Sequence, residues 1–367
     1  MVDPRLTKLA DLLVRYSINV QPGMWTMINA EVVALPLVRE VYRAVLEAGG
    51  NPMVLLSDGE MGNIFYEEAS DEQLTWVSPV ERLVIEEADA GIYLLATQNT
   101  RAMNNVDPAK QAKRQASRTE LMKINMERSA TDDFLWTLTR YPTQASAQEA
   151  EMSLAEYEDF VFSATLVDRD DPIAEWRGIS AMQQAKVDWL KGKKSVTVKS
   201  ANCDLVLSID GRTFINAGGL KNMPDGEIFT GPVEDSVNGW VRFTYPAVYG
   251  GRAVEDVELK FEAGKVVAAS ASKNEDFLLT QLDIDPGARY LGEFAIGTNF
   301  GITKFTQDIL FDEKMGGTIH MALGRGYPET GSKNESAIHW DMICDMRDGA
   351  EIHVDGELFY KDGQFVA

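Results

Sequence analysis

The chain has 367 residues, 45% of them apolar and 25% charged, the balance of a globular protein long enough to bury two cores. Acidic residues exceed basic ones by 22; so negative a surface repels phosphate backbones and excludes nucleic acid as an expected partner, while weakly favouring cationic ligands such as the free amino end of a peptide. No apolar run approaches the length of about eighteen residues that a membrane span needs, and Asp3, Arg5, Lys8, Asp11 and Arg15 interrupt the N-terminal segment where a secretory signal would be uniformly apolar.

Taken in chain order, the first half alternates helical and strand signals. Pro4 to Tyr16 carries leucines at 6, 9, 12 and 13, an amphipathic helix. Trp25 to Ile28 reads as a strand, Leu35 to Ala48 as a helix stopped by Gly49-Gly50, and Pro52 to Leu56 as a second strand. Val80 to Ala88 is helical, Gly91 to Ala96 is a buried strand, and helices follow over 108–129, 145–167 and 173–191, the last opened by Pro172. Strands alternating with helices predict an α/β domain with a parallel sheet over residues 1–190.

After Lys194 the texture changes. Ser195 to Lys199, Leu205 to Ile209 and Val257 to Phe261 read as strands. Asp210-Gly211, Asp225-Gly226, Ala263-Gly264, Asp355-Gly356 and Asp362-Gly363 read as turns. Residues 191–367 are therefore expected to form a strand-rich α+β domain. The chain has two cysteines, Cys203 and Cys344, far apart and outside any CxxC pair; both read as buried apolar residues in a reducing, cytoplasmic protein.

Several chemistries lack their motif. There is no GxGxxG after a strand, no P-loop, no HExxH and no GxSxG. The three histidines are His320, His339 and His353, all near the C-terminal end. His339-Trp340-Asp341 is the clearest signal: on a strand His339 and Asp341 point to one side and Trp340 to the other, offering a nitrogen and a carboxylate to a divalent ion. The same spacing also suits an ordinary His–Asp hydrogen bond. In His353-Val354-Asp355 the aspartate precedes Gly356 and is better explained as a turn residue.

His320 closes the segment Phe311 to His320, which also holds Asp312 and Glu313, and Gly316-Gly317 gives a sharp turn before a strand expected to end at His320. Tyr327 follows seven residues later, as a core side chain, a metal ligand or a donor to an oxyanion. Glu227 sits in the turn-rich run 222–232, and Glu293 in an apolar, glycine-rich run, 291–301, where an unpaired carboxylate is costly. Together Glu227, Glu293, His320, His339 and Asp341, with Glu313 and Tyr327 nearby, supply about the donors that two metal ions sharing a carboxylate require.

The segments NMPDGEIFTGP (222–232), LGEFAIGTN (291–299), LFDEKMGGTIHMALGRGYPETG (310–331) and NESAIHWDMI (334–343) resemble those of the aminopeptidase T / aminopeptidase S family, the thermophilic metalloproteases. The likeness extends through 140–162 and over nearly the whole chain. It implies a metallo-aminopeptidase with two divalent ions, zinc, cobalt or magnesium, held by Glu227, Glu293, His320, Tyr327, His339 and Asp341. It further implies broad specificity favouring leucine-type first residues, short peptides as substrates and a homodimer. Glu313 is our assignment for the general acid/base, with Glu293 the alternative if it binds metal less tightly, and Tyr327 for the oxyanion donor. A metal-dependent amidase on small molecules, or a metal-binding homologue without turnover, is the alternative; an oxidoreductase using the α/β half would lack its phosphate loop.

Overall fold

The computed structural model describes residues 3–367. The chain divides into two compact units, Met1–Ile173 with Gly219–Pro224, and Ala174–Gly218 with Asp225–Ala367. Among the described residues no helix is long and apolar enough to cross a membrane.

The first unit holds a five-stranded parallel sheet in the order Asn51–Ser57, Trp25–Glu31, Ala90–Leu95, Leu135–Arg140, Asn222–Met223. Parallel neighbours cannot be joined by a tight turn, so helices make the crossovers. The helix Leu35–Glu47 buries Leu37, Val38, Val41, Ala44 and Val45, a stripe at helical spacing. Two long predicted helices are each divided. The stretch 108–129 breaks at Arg118 into Pro108–Ser117 and Thr119–Ala130. The stretch 145–167 breaks into Gln144–Glu149 and Leu154–Ala164, because Glu151 takes φ 55° and Ser153 opens the second helix through a capping box with Glu156. The helix Gly59–Glu68 is not among the helices expected from the sequence; its Met61, Ile64 and Phe65 stand at helical spacing but none of them is buried.

The second unit combines most of the helix Pro172–Leu190 with a larger and a smaller antiparallel sheet and a two-stranded ribbon, Ala247–Tyr249 with Arg252–Val254. The larger runs Lys265–Ser270, Glu258–Glu262, Asn238–Arg242, Cys203–Ser208, Ser195–Ser200, Glu351–Val354, Glu357–Lys361, Gln364–Phe365. The smaller runs His339–Asp345, Thr318–Gly324, Leu291–Gly297, Glu227–Thr230, Ile215–Ala217. The core joins them: Val196, Val198, Leu205, Val241 and Phe261 from the first sheet pack with Ile228, Phe294, Ile296, Met321 and Trp340 from the second. Asp355-Gly356, Asp362-Gly363 and Ala263-Gly264 close hairpins, Asp355 and Gly356 both at positive φ (52° and 82°), whereas Asp210-Gly211 and Asp225-Gly226 join strands that are not paired with each other.

Candidate metal centre

The smaller sheet has two differently occupied faces. In an antiparallel sheet directly paired residues share a face, and every second residue along a strand returns to it. Phe294, Ile296, Met321 and Trp340 go to the core face. The register Glu293↔Ala322↔Asp341, Ala295↔His320↔Ile343, Gly297↔Glu227 and Gly324↔His339 then puts Glu227, Glu293, His320, His339 and Asp341 together on the other. Their neighbours on that face include Ala295, Ala322 and Gly297, small residues that leave room for them. Gly297 also lets the chain before Gly316 pass close, since a Cβ there would come within 2.2 Å of the Met315 carbonyl oxygen. Gly226 takes φ 115°, which turns the chain into the strand that begins at Glu227. His320 is the third residue of the strand Thr318–Gly324, not its last; the turn at Gly317 (φ 88°) comes before that strand as expected.

The side chains converge. His320 Nε2 is 3.3 Å from Glu227 Oε2 and 3.6 Å from Glu293 Oε1. His339 Nε2 is 3.2 Å from Glu293 Oε2 and 3.4 Å from Asp341 Oδ1. Glu313, just beyond the short helix Ile309–Asp312, joins them: Glu227–Glu293–His320, Glu293–His339–Asp341 and Glu313–His320–Asp341 are three groups whose donor atoms lie within 4.8 Å of one another. The groups interlock through Glu293, His320 and Asp341. The Arg325 carbonyl oxygen stands 2.7 Å from His339 Nδ1, so that nitrogen donates there and Nε2 faces the carboxylates. Tyr327 sets its ring edge against His339 (centroids 5.1 Å apart) and against Phe229 (5.5 Å).

Burial governs the electrostatics. It pushes the carboxyls of Glu227 and Glu313 up, despite the opposing pull of Lys314. Burial works the same way on Glu293 and Asp341, but there the histidines win and hold both carboxyls below their usual range. Burial would lower the imidazoles, yet the surrounding carboxylates raise His320 to about 10 and His339 to about 12. The Tyr327 phenol is pushed up by burial and then by the carboxylates of Glu293 and Asp341; the residue is 40% exposed, so the carboxylates are the firmer cause.

The remaining candidates lie elsewhere. Asp312 turns away: its Oδ1 accepts hydrogen bonds from the backbone (2.7 Å) and hydroxyl (2.8 Å) of Thr306, and burial pushes it up to about 8. His353 pairs with Glu351 at 3.0 Å, and Asp355 accepts hydrogen bonds from the Lys194 and Ser195 amides beside its turn. Lys314 escaped the sequence reading altogether. Its side chain is wholly buried, with its ammonium against Glu313 and 3.9 Å from Glu227 Oε1. The available signal was a lysine between an acid and an apolar, glycine-bounded run, Glu313-Lys314-Met315-Gly316.

The donor set fits divalent metal. Glu227 Oε2, Asp341 Oδ1 and His320 Nδ1 are buried side-chain atoms with no hydrogen-bond partner in the protein, a costly state for atoms that could be ligands or support ligands. Mixed imidazole and carboxylate donors suit zinc and other first-row ions.

Comparison with known proteins decides the family. The profile of the family described as thermophilic metalloprotease (M29) matches residues 2–365. The chain belongs to the thermophilic metalloproteases. Aminopeptidase 2 of Geobacillus stearothermophilus is 30% identical to it, over 99% of this chain and 95% of that protein. Aminopeptidase T of Thermus thermophilus is 28% identical, over 98% and 95%. The solved structure of wild-type AmpT from Thermus thermophilus superposes with a TM-score of 0.86 at 25% identity, covering 99% of each chain. As a thermophilic metalloprotease the protein is an enzyme, a hydrolase acting on peptide bonds, and the family implies a divalent metal.

Proposed function

We propose that the protein is a metal-dependent aminopeptidase that removes single residues from the N-termini of short peptides, with broad specificity favouring leucine-type residues, at a site for two divalent ions. The observation that carries this reading is the convergence of Glu227, Glu293, His320, His339 and Asp341 on one face of a sheet, joined by Glu313 from the end of a short helix, in three interlocking donor groups. The names of the relatives supply the exopeptidase activity. Glu227, Glu293, His320, His339 and Asp341, with Tyr327 beside them, would hold zinc, cobalt or magnesium. The bound ions would supply Lewis acidity and a water of lowered pKa.

The chain's own residues divide the remaining work. Glu313 is a buried carboxyl whose raised pKa suits it to take a proton from water and return it to the leaving amine nitrogen. The Tyr327 phenol, kept protonated by its surroundings, donates to the developing oxyanion. The acidic pocket attracts the cationic amino end of the substrate. Catalysis is assigned to residues 191–367; the family resemblance carries the homodimer, and the free thiols of Cys203 and Cys344 support the cytoplasmic location.

The test is a set of short peptides incubated with metal-loaded protein and followed by mass spectrometry. A ladder shortened by one residue at a time from the N-terminus, with N-acetylated peptides left intact, is expected. Internal cleavage, or hydrolysis confined to small non-peptide amides, would refute the assignment.

A further inference from the structure

Among the described residues Lys314 is the lysine that pairs with carboxylates of the acidic pocket, and it does not treat the donors alike. Its side chain has no exposure to water, so its charge is neutralised by protein alone. The ammonium contacts Glu313 Oε1 and lies 3.9 Å from Glu227 Oε1. Among the described residues Glu293 and Asp341 form ion pairs with His320 and His339 and none with Lys314, whereas Glu227 lies between the lysine and His320, 3.3 Å from the imidazole. Of the three donor groups, Glu293–His339–Asp341 is the one that contains neither of the lysine's carboxylates.

We propose that Lys314 is a built-in cation that makes the two metal positions unequal, weakening the ion held through Glu227 and His320 and leaving the ion held by Glu293, His339 and Asp341 tight. The inference rests on the two-ion reading above. An ion at the first position competes with the ammonium for the oxygens of Glu227 and Glu313 and is repelled by it in a dry, weakly screening pocket. When that ion leaves, Lys314 remains as counter-charge to Glu313 and, together with His320, to Glu227, so neither buried carboxylate is left uncompensated. The protein thus keeps a folded state with one position filled, and the second position is the exchangeable one. Lys314 is in this sense a positioning residue for the metal pair.

The test is cobalt(II) titration of the full-length, metal-free protein, read by calorimetry and by the cobalt absorption bands. Wild type is expected to bind in two steps of different affinity. Lys314→Met, or Lys314→Gln where methionine is not tolerated, should tighten the weaker step by roughly tenfold or more and leave the stronger step unchanged. Lys314→Arg keeps the charge and should leave the weaker step weak. A gain of affinity is an effect that damage to the fold does not produce. A folded Lys314→Met or Lys314→Gln protein with an unchanged or weaker second step overturns the proposal, as does Lys314→Arg tightening to the same extent as the neutral variants. A single step of one ion in wild type would instead refute the two-ion reading itself, so the two failures are distinguishable.

Discussion

Among the described residues the carboxylates of Glu227, Glu293, Glu313 and Asp341 share a buried pocket with the imidazoles of His320 and His339 and the ammonium of Lys314. Without metal the balance is struck with protons, which is why His320 rises to about 10 and His339 to about 12. Metal must displace those protons, since an imidazole ligand is neutral. Affinity for zinc is therefore expected to climb with pH through neutrality, with proton release on binding; calorimetry in two buffers of different ionisation enthalpy measures it directly. The stability of the metal-free protein follows the opposite sign. A histidine with a raised folded-state pKa contributes fully below its ordinary value of 6.5, and the contribution of His320 is lost as pH rises towards about 10. Metal-free protein should thus show a Tm that declines across that window, and a rising Tm there would contradict the charge balance described. Glu227→Ala and His339→Ala should each cut metal affinity and activity by more than about a hundredfold while far-UV circular dichroism stays native.

At the scale of elements, the strand His339–Asp345 serves two faces at once. Trp340 is 1% exposed, with its ring 5.4 Å from Tyr249 and 5.9 Å from Phe277, while the residues flanking it carry donors. Trp340→Ala is expected to cost about 3–5 kcal/mol in denaturant unfolding and to weaken metal binding as the strand loosens. Ser153→Ala, which removes the capping box of Leu154–Ala164 in the first unit, should cost about 1 kcal/mol and leave metal affinity unchanged. The same elements show what the sequence could tell. Period two put His339 and Asp341 on one side and Trp340 on the other, as the structure has them, because alternation is a local property. Glu227 and Glu293 stood out as carboxylates in awkward surroundings, but pairing Glu227 with Gly297 and Glu293 with Ala322 is a long-range register that spacing does not encode. Lys314 looked like any lysine after a glutamate; its burial depends on the turn through Met315–Gly317 packing over Gly297, which only the folded chain reveals. The break at Glu151 was invisible for the opposite reason, since a single residue at positive φ leaves the helical composition around it intact.

For the whole molecule, the α/β and strand-rich architecture was legible from the change of texture after Lys194 and agrees with the AmpT structure at a TM-score of 0.86. Metal binding and folding are linked through the pocket, because the unfolded chain offers no assembled site. Chelation should lower Tm, and metal at about a hundred times its dissociation constant should restore about 2.7 kcal/mol per ion. The most direct test of the central claim is release of leucine from a leucyl peptide and from leucyl-p-nitroanilide by purified protein, after chelation and again after adding zinc, cobalt or magnesium. Activity abolished by the chelator, restored by metal and absent from His339→Ala is the predicted result. Full activity in metal-free protein, or in a His339→Ala protein that binds no metal, would contradict it.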